Sequence, residues 1–523
     1  MWEWWIWHAT SLIQIKVAAR AGRFEDVLNA VAGQASPDQP VYLVGGAVRD
    51  YLLGRPIYDW DFVLEGDVRP ISKKIANLFG GAYYLLDEER NISRVIIDFQ
   101  GEKLVLDFAA SRADSLAGDL EKRDYTINAM AMDITAPGQI IDPLGGKQDL
   151  FDQKIHFCQP DSIKSDPVRI LRGIRLCMSL GFQLENSTEQ VLRAAVPLLT
   201  TVSTERKRDE LFKILGLGRS KTSLEMMDEM GILQILLPEE MQIKDVEQSP
   251  PHKFDVWEHT LETLFYLDIL LDGILSSGRE AVAHVETQAW MNEPLMKFQP
   301  GLENHFQREL PSGRSRRSLL LFSALMHDIG KPGRKIKTVT GRIRFLGHEH
   351  LGSELAEQVA WNWALSNDEV VYIKQIVGQH MRIHSMTRAD QLPDRRAIHR
   401  FFRDSGENGV DICILTLADS LATYGGMVPQ DLWKNQSAIC DSLLETWFEK
   451  KKEVVNPPKL LSGNDIMQML NLRPGPVIGR IVLDLREAQG AGEVLTVEDA
   501  VNYIRGWTLK QVEGESYDNI SSS

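Results

Sequence analysis

Two aspartates separated by a single residue, Asp59 and Asp61, stand in the segment YDWDFV. On a β-strand, residues two apart point to the same face, so both carboxylates would lie together while Trp60 and Phe62 face the other side. Neighbouring carboxylates repel each other unless a cation lies between them, and their oxygens suit Mg²⁺. Asp107, in the strand-like segment KLVLDFAAS, would add a third oxygen ligand from a neighbouring strand. In isolation, the pair would also fit an ordinary acidic surface.

The segment upstream of these aspartates has the features of a phosphate-binding turn. Gly45 and Gly46 end the apolar run VYLVGG just before a helical pattern. Without side chains there, backbone amides and a helix N-terminus can approach a phosphate closely, and Arg49 lies one turn further on. Carboxylate-bound metal ions beside such a turn are the components of two-metal phosphoryl or nucleotidyl transfer.

A second group of potential metal ligands follows the order H…HD…H…H…D. Its members are His259, His327, Asp328, His348, His380 and Asp419. Neutral imidazoles and carboxylates together suit a divalent transition metal ion, and a metal-bound water is a nucleophile at neutral pH. The quartet H…HD…D is predicted to bind the ion, whereas His348 and His380 are predicted to bind a second ion or a phosphate.

These residues are positioned by three kinds of pattern along the chain. Within residues 36–158, VYLVGG, YDWDFVLEG, SRVIIDF and KLVLDFAAS predict strands, whereas AVRDYLLG, RPISKKIANLFG and DLEKRDYTINAMAMDI show helical spacing. The pattern is helical from 159 to 225, and residues 154–221 contain 12 basic and 7 acidic residues. Residues 226–430 are predicted to be helical, with an irregular insertion or loop at 276–317 that contains GRSRRS. A small helical end is predicted at 455–507.

The composition narrows the class of protein. The 523 residues include 73 acidic and 58 basic side chains, a net charge of −15, so nucleic-acid binding would need a locally basic zone. Four cysteines without C-x-x-C spacing fit neither a disulfide framework nor a thiolate zinc site. The Trp-rich N-terminus is interrupted by polar residues and is too short to span a bilayer. A cytoplasmic protein that does not interact with membranes is therefore expected.

Five ordered motifs resemble those of the class II tRNA nucleotidyltransferases (CCA-adding enzymes) and bacterial poly(A) polymerases. LVGGAVRDYLLGRPIYDWDFV resembles the first signature of that family, and four further blocks follow: KRDYTINAMA at 122–131, DPLGGKQDL at 142–150, SDPVRILRGIR at 165–175 and STERKRDEL at 203–211. The H…HD…H…H…D order resembles the HD-type phosphohydrolases, and the end of the chain resembles longer bacterial members. The resemblance covers residues 40–507.

This resemblance implies an α/β nucleotidyltransferase head followed by an all-α neck, an HD-type helical body and a small helical C-terminal region. The predicted segments are an N-terminal segment 1–35, the head 36–158, a helical neck for base reading and RNA binding 159–225, an HD-type helical domain 226–430, a helical C-terminal RNA-binding region 431–510 and a disordered tail 511–523. The implied reaction adds nucleotides to the 3′ end of tRNA from ATP, with CTP as a second candidate substrate, and releases pyrophosphate.

The resemblance also assigns roles in the head. Asp59 and Asp61 would hold catalytic Mg²⁺ ions, with Asp107 as the third carboxylate, while Gly46, beside Gly45, and Arg49 would contact the triphosphate. Three residues would form the nucleotide pocket: Arg123, Asp124 and Asn128. Of these, Asp124 would accept a hydrogen bond from the ribose hydroxyl and so favour ribonucleotides.

The resemblance assigns base reading to the block at 165–175. Asp166 and Arg169 would hydrogen-bond the edge of the incoming base, and Arg172 would contact the base or the triphosphate. Their spacing at i, i+3 and i+6 predicts one shared helix face, where an acceptor beside an Arg fork can select a base without a template. An intrahelical ion pair is the alternative. Five basic residues would grip the acceptor-stem phosphates, or form a solvated basic face: Arg193, Arg206, Lys207, Arg208 and Lys213.

The sequence departs from the family pattern at two positions. Ser165 stands where the base-reading block has Glu, and Lys122 where the RRD block has its first Arg. CCA, CC-only, A-only and poly(A) addition therefore all stay open, as does an HD phosphohydrolase with a vestigial head. The identity of the HD metal and the oligomeric state are not determined by these patterns.

Overall fold

The computed structural model describes residues 24–36, 39–99, 101–275, 289–387 and 392–506. The predictions for the Trp-rich start and for the tail 511–523 lie outside these residues. The chain divides into two compact units, Met1–Glu210 and Leu211–Ser523. Every helix in the described ranges is too short or too polar to cross a lipid bilayer.

The secondary-structure elements are numbered here in chain order. The strands are β1 Val41–Val44, β2 Asp59–Leu64, β3 Ala82–Asp87, β4 Ile92–Phe99, β5 Glu102–Ala110, β6 Ala131–Asp133, β7 Ile140–Ile141, β8 Lys154–Ile155, β9 Gln183–Leu184, β10 Ile336–Lys337 and β11 Ile343–Arg344. The helices of the first unit are α1 24–32, α2 Gly46–Leu52, α3 Arg69–Phe79, α4 Leu116–Glu121, α5 Gly146–Phe151, α6 Pro160–Ser165, α7 Arg169–Leu180, α8 Asn186–Ala195 and α9 Thr204–Leu215, whose last turn enters the second unit.

The second unit is helical. Its helices are α10 Ser220–Glu229, α11 Leu233–Leu236, α12 Val256–Leu275, α13 Ala289–Met296, α14 Gln299–Gln307, α15 Arg316–Leu325, α16 His348–Asn362, α17 Asn367–Gln379, α18 Met381–Thr387, α19 Arg395–Ser405, α20 Asn408–Thr423, α21 Gln430–Glu449, α22 Gly463–Leu470, α23 Pro476–Ala491 and α24 497–506. The last three helices share a hydrophobic cluster of their own, which includes Ile466, Ile481 and Ile504.

A seven-stranded mixed sheet forms the centre of the first unit, in the order β3-β4-β5-β2-β1-β6-β7. Strands β2 and β5 run parallel, with Asp61 in register with Asp107. On the other face of β2, Trp60 and Phe62 are buried, and the ring of Phe62 stacks on that of Phe108 with centroids 5.0 Å apart. The alternation of YDWDFV therefore separates a core face from a carboxylate face.

The predicted fold class, an α/β head with a helical remainder, is confirmed. The segment DLEKRDYTINAMAMDI, predicted to be helical, is different: α4 ends at Glu121, and residues 131–133 form β6. This strand pairs with β1, where Leu43 is in register with Met132, and such long-range pairing overrides local spacing. The segment boundaries proposed above stay predictions.

The segment 276–317 was predicted to be irregular, and its described part is instead largely helical. Residues 276–288 lie outside the described ranges, but 289–317 contain α13, α14 and the start of α15. Within the basic run GRSRRS, Arg316 and Arg317 are buried: Arg316 pairs with Asp411 at 2.8 Å and Arg317 with Asp268 at 3.0 Å. Two residues of the basic run thus anchor α15 to neighbouring helices.

Candidate active site and metal centre

The predicted carboxylates of the head lie together on one face of β2 and β5. Asp59 is exposed at the start of β2, Asp61 is half-buried, and Asp107 stands opposite Asp61 on β5. Burial raises the pKa of Asp61, the charges of Asp107 and Asp59 raise it further, and Arg123 opposes the rise. Such mutual repulsion is relieved by a divalent cation, so these oxygens fit one.

Asp107 also has a partner that was not predicted. Arg94, on the adjacent strand β4, donates two hydrogen bonds to its carboxylate, each 2.8 Å long. The register that places Arg94 opposite Asp107 brings these groups together. Asp107 is therefore held in a fixed orientation beside Asp61 by a bidentate contact.

Gly45 lies where a larger residue would disturb this face. Its φ is +73°, and a Cβ there would lie 3.1 Å from Nη1 of Arg123 and 3.3 Å from Oδ2 of Asp61. The amide of Gly45 donates to the carbonyl of Met130 at 3.3 Å. The glycine thus lets a guanidinium and a carboxylate pack directly against the backbone.

Asn128 and Asp124 of the predicted nucleotide pocket form a hydrogen-bonded chain with Arg49. Arg49 binds Asp50 and donates from Nη1 to Oδ1 of Asn128 at 2.7 Å, and the amide of Asn128 in turn donates to Asp124. Arg172 lies 2.9 Å from Oδ2 of the buried Asp124. Burial favours the protonated form, but Arg172 and the Tyr125 amide outweigh it and lower the pKa of Asp124.

Arg123, the third residue of the predicted nucleotide pocket, borders the carboxylate face. Its Nη2 donates to the buried Asp119 at 3.3 Å, while its Nε is buried and has no hydrogen-bond partner within the described structure. The side chain borders both Gly45 and Asp61. A half-buried guanidinium whose Nε donor is free, beside a carboxylate face, suits an anionic ligand.

The residues predicted to share a base-reading helix face do not all lie on one helix. Asp166 precedes α7, because Pro167 follows it and disfavours helical backbone at that position. Asp166 pairs with Arg206 at 2.8 Å. Arg169, the first residue of α7, donates to the backbone carbonyls of Lys122, Arg123 and Ser162. Arg169 therefore fixes the RRD-like segment, while its Nε has no hydrogen-bond partner among the described residues and lies 3.9 Å from Oδ2 of Asp166, as an ion pair.

The predicted RNA-gripping residues differ in their surroundings. Arg193 pairs with Glu189 at 2.7 Å, Arg206 with Asp166, and Arg208 with Asp209 at 2.9 Å. These three and Lys207 belong to the first unit, whereas Lys213 belongs to the second. Three of the five are therefore paired with nearby carboxylates, and their RNA contacts stay a prediction.

The six histidine and aspartate residues predicted as ligands converge in the second unit. His259, His327 and Asp328 form one buried group with the spacing of a metal site, and Asp328, His348 and His380 form another. Asp328 belongs to both groups, so it would contribute to metal binding in either. Asp419 completes the first group, with Oδ1 3.0 Å from Nε2 of His259.

Backbone carbonyls orient the imidazoles of this centre. The Nδ1 atoms of His327, His348 and His380 lie 2.7, 2.8 and 2.6 Å from the carbonyl oxygens of Ala324, Phe345 and Val377. Since a carbonyl only accepts, each Nδ1 carries the hydrogen, so the Nε2 atom of each ring is the one left to bind a metal ion, as in metal-binding histidines.

The Nε2 atoms of this centre lie close enough together to share a cation. Nε2 of His348 and Nε2 of His380 face each other at 3.2 Å, and Nε2 of His348 is 3.2 Å from Oδ1 of Asp328. Burial and the neighbouring histidines lower the pKa of His380 to about 3, which keeps it neutral at pH 7. The buried Nε2 atoms of His259 and His327 also lack hydrogen-bond partners within the described residues. This donor set fits borderline transition metal ions.

A cavity of about 900 Å³ opens onto this centre. Residues that the sequence did not single out line it: His252, Lys331 and His384. His384 lies 2.8 Å from Oδ2 of Asp419, and Lys331 lies 2.6 Å from Oδ2 of Asp328. The sequence could have indicated His384, because it lies four residues after His380 and therefore on the same side of a helix. No comparable spacing indicates His252.

Three family models match successive parts of the chain. Residues 41–156 match the family model of the poly A polymerase head domain, 181–242 a probable RNA and SrmB-binding site of polymerase A, and 256–424 the HD domain. An A-adding tRNA nucleotidyltransferase of Deinococcus radiodurans is 31% identical, over 89% of this chain and 95% of that protein. A CC-adding enzyme of Thermus thermophilus is 30% identical, over 89% and 93%.

Solved structures share the fold. A CCA-adding enzyme in complex with ATP matches with a TM-score of 0.58 and 20% identity, over 94% of this chain and 96% of that one. A Thermotoga maritima CCA-adding enzyme complexed with tRNA matches with a TM-score of 0.52 and 19% identity, over 92% and 98%. From its 31% identity to a relative that it covers almost completely, the chain belongs to the tRNA nucleotidyltransferase and poly(A) polymerase family.

Proposed function

We propose that the chain is a template-independent RNA nucleotidyltransferase that extends the 3′ end of tRNA from ATP, CTP or both. The observation that carries this proposal is the carboxylate face of Asp59, Asp61 and Asp107 beside Arg123 and Gly45. The reaction joins the terminal 3′ oxygen to the α-phosphorus and breaks the bond to the bridging oxygen, so pyrophosphate leaves. Bound Mg²⁺ would supply charge neutralisation at both oxygens.

The chain's own residues bind and orient the nucleotide in this proposal. Arg123 would contact the triphosphate through its free Nε, and Asp124, held ionised by Arg172, would accept from the ribose hydroxyl. Asp166, Arg169 and Arg172 would present donors and acceptors to the base edge. A tRNA substrate and four unpaired cysteines agree with the cytoplasmic location that the sequence predicts.

Product lengths test this proposal. Purified protein is incubated with tRNA lacking one, two or all three terminal nucleotides, with each NTP supplied singly and then together. Addition of A only to tRNA ending in CC identifies an A-adding enzyme, and addition of CC a CC-adding one. Long A tracts would identify a poly(A) polymerase, and no incorporation with any primer would contradict the proposal.

A second activity is proposed for the histidine–aspartate centre, namely metal-dependent phosphoester hydrolysis. Two groups of buried ligands that share Asp328, with Nε2 atoms facing each other, support it. A bound divalent ion would supply Lewis-acid polarisation of a phosphoryl group. Lys331 and His384 would hold the two carboxylates in place. Hydrolysis of a phosphate monoester with added Mn²⁺, Co²⁺, Ni²⁺ or Zn²⁺ tests this proposal, and a chelator should abolish it.

A further inference from the structure

A short hairpin beside the histidine–aspartate centre carries an unusual charge. Residues 334–344, here called the basic hairpin, contain five basic side chains and no acidic one, on a chain with a net charge of −15. The five are exposed: Arg334, Lys335, Lys337, Arg342 and Arg344. Among the described residues, none of them forms an ion pair, in contrast to Arg316 and Arg317 nearby in sequence.

The basic hairpin is built into the wall of the cavity. β10 and β11 pair with Ile336 opposite Arg344, and the amide of Ile343 donates to Oγ of Ser249 at 2.8 Å. Arg342 and Arg344 line the cavity together with Ser249. The arm of the hairpin that carries Arg342 and Arg344 is therefore fixed in the wall of the cavity.

The end of the hairpin also contacts the metal centre itself. Phe345, which follows β11, accepts from Nδ1 of His348 through its carbonyl, and Lys331 lies over its ring, 5.5 Å from the centroid. Lys331 in turn contacts Asp328. Contacts thus run from Phe345, the residue that follows the hairpin, to Asp328, which both ligand groups share.

The exposed apolar side chains of the same segment suit unpaired bases. Ile336, Val339 and Leu346 are 55, 106 and 69% exposed. Alternating cations and exposed apolar groups would engage phosphates and base faces of an unpaired strand. A mononucleotide filling the cavity would leave Arg334, Lys335 and Lys337 without a role, since none of these lines it.

We propose that the basic hairpin is a docking surface for the phosphate backbone of a single-stranded RNA end, whose terminal phosphoester enters the adjoining cavity. This inference rests on the phosphohydrolase proposed above and names its substrate class as a polynucleotide end. In the reaction, water forms a bond to the terminal phosphorus and the bond to the RNA 3′ oxygen breaks. That oxygen takes a proton, and inorganic phosphate leaves.

The test uses a double variant and a control matched in charge. Arg334→Gln with Lys337→Gln removes one exposed Arg and one exposed Lys from the hairpin without altering the cavity lining. Arg308→Gln with Lys374→Gln removes the same two residue types from exposed positions paired with Glu407 and Glu357. Both variants are made in the full chain and checked for folding by circular dichroism.

Hydrolysis is measured on two substrates that share a terminal group, namely 3′-AMP and a single-stranded RNA oligonucleotide ending in a 3′-phosphate. The hairpin variant should lower kcat/KM for the RNA on the order of tenfold and leave 3′-AMP hydrolysis unchanged, because lost phosphate contacts weaken polyanion binding. The control should behave like wild type. An equal fall for both substrates, or none for either, would overturn the proposal.

Binding supplies an arm that does not depend on hydrolysis. Fluorescence anisotropy of the labelled RNA at rising salt should give a slope of log affinity against log salt about 1.4 shallower for the hairpin variant, from two lost contacts. If the wild-type protein hydrolyses neither substrate with any of the metal ions, the proposed phosphohydrolase activity is wrong. The salt slope then tests RNA binding by the basic hairpin on its own. Equal slopes in variant and control would overturn RNA docking. Binding of phosphatidylserine vesicles is measured in parallel, and a hairpin variant that loses vesicle binding but keeps RNA binding would also overturn it.

Discussion

At the scale of single residues, the head concentrates negative charge where the reaction needs a cation. Asp61 stands opposite Asp107 across parallel strands, and Arg94 holds Asp107 from the far side. The positive charge that most lowers the pKa of Asp61 is Arg123, whose Nε has no hydrogen-bond partner in the described chain. The same few side chains would therefore neutralise a metal ion and a triphosphate.

Asp61→Asn should abolish nucleotide incorporation and leave the fold intact. An amide removes the charge that holds the cation, and a loss of at least about a hundredfold in rate is expected, equivalent to about 3 kcal/mol. Asp59→Asn should behave alike. Incorporation of labelled ATP or CTP into truncated tRNA measures the effect. Asp67→Asn, an exposed carboxylate paired with Arg69, is the control. Near-wild-type incorporation by either site variant would refute the two-metal assignment.

Arg169→Ala should relax the choice of base and also destabilise the head. Its guanidinium donates to three backbone carbonyls, so its loss leaves these acceptors unpaired and should lower the free energy of unfolding by about 2 kcal/mol. Discrimination should fall by about 1–3 kcal/mol, by analogy with other bidentate base contacts. Single-nucleotide assays with ATP, CTP, UTP and GTP measure it. Arg193→Ala should alter RNA affinity but not base choice. Unchanged preference in a folded Arg169→Ala protein would exclude Arg169 from base reading.

At the scale of elements, the turn between β1 and α2 is where backbone conformation and catalysis meet. Gly45→Ala adds a Cβ 3.1 Å from Nη1 of Arg123 at a φ of +73°. Gly54→Ala adds one at a φ of +64° with nothing within 4 Å. Both should lose about 1 kcal/mol of stability through backbone strain. Only Gly45→Ala should lower nucleotide addition, by tenfold or more, and equal activities would show that close packing at Gly45 is unimportant.

A carboxylate that links two elements of the second unit sets part of its acid stability. Glu369, in the first turn of α17, accepts from Arg314 at 2.6 and 2.7 Å and from the amide of Ser366. Burial opposes ionisation, but these hydrogen bonds lower the pKa of Glu369 to about 2. Because the folded pKa lies below the unfolded value, the stabilisation is full above about pH 4.3 and is lost as pH falls towards 2.

Glu369→Gln should therefore cost stability at pH 7 and little at low pH. The difference from wild type should reach about 3 kcal/mol near neutrality and shrink between pH 4 and pH 2, following the linkage relation. Urea unfolding at a series of pH values measures it. Glu354→Gln, on the neighbouring helix at an exposed position, serves as the control. A difference that stays constant with pH would mean that Glu369 stabilises the fold through its packing and not through its charge.

The elements also explain which parts of the fold could be predicted. The strands β1, β2, β4 and β5 have apolar runs or period-two alternation that report their own burial. The edge strand β3 is largely exposed and lacks that alternation, and β6 exists through pairing with β1. Asp166 lies outside the predicted helix because Pro167 follows it and disfavours helical backbone at that position. The spacing of Asp166, Arg169 and Arg172 predicts a shared helix face only if this effect of the proline is ignored. The contact of Arg94 with Asp107 could not be predicted, because it depends on the register between β4 and β5.

At the scale of the whole molecule, the two centres belong to separate units and use different donors. The first unit offers carboxylates, and the second offers imidazoles with Asp328 and Asp419. Relatives of nearly equal identity are an A-adding and a CC-adding enzyme, so overall identity does not distinguish which nucleotides this chain adds. Hard oxygen ligands favour Mg²⁺, whereas imidazole favours later transition metals, which makes the two centres separable in experiment.

His327→Ala with Asp328→Ala should remove bound transition metal and phosphoester hydrolysis while nucleotide addition survives. The double change removes one imidazole and one carboxylate, and Asp328 alone belongs to both ligand groups. Metal can stabilise the fold that binds it, so unfolding is monitored on the same preparation. His350→Ala, an imidazole 80% exposed near the centre, is the matched control and should retain metal. Metal content, hydrolysis and incorporation are measured together. Wild-type metal stoichiometry in the double variant would refute the ligand assignment, and loss of incorporation in a folded variant would show that the two centres are coupled.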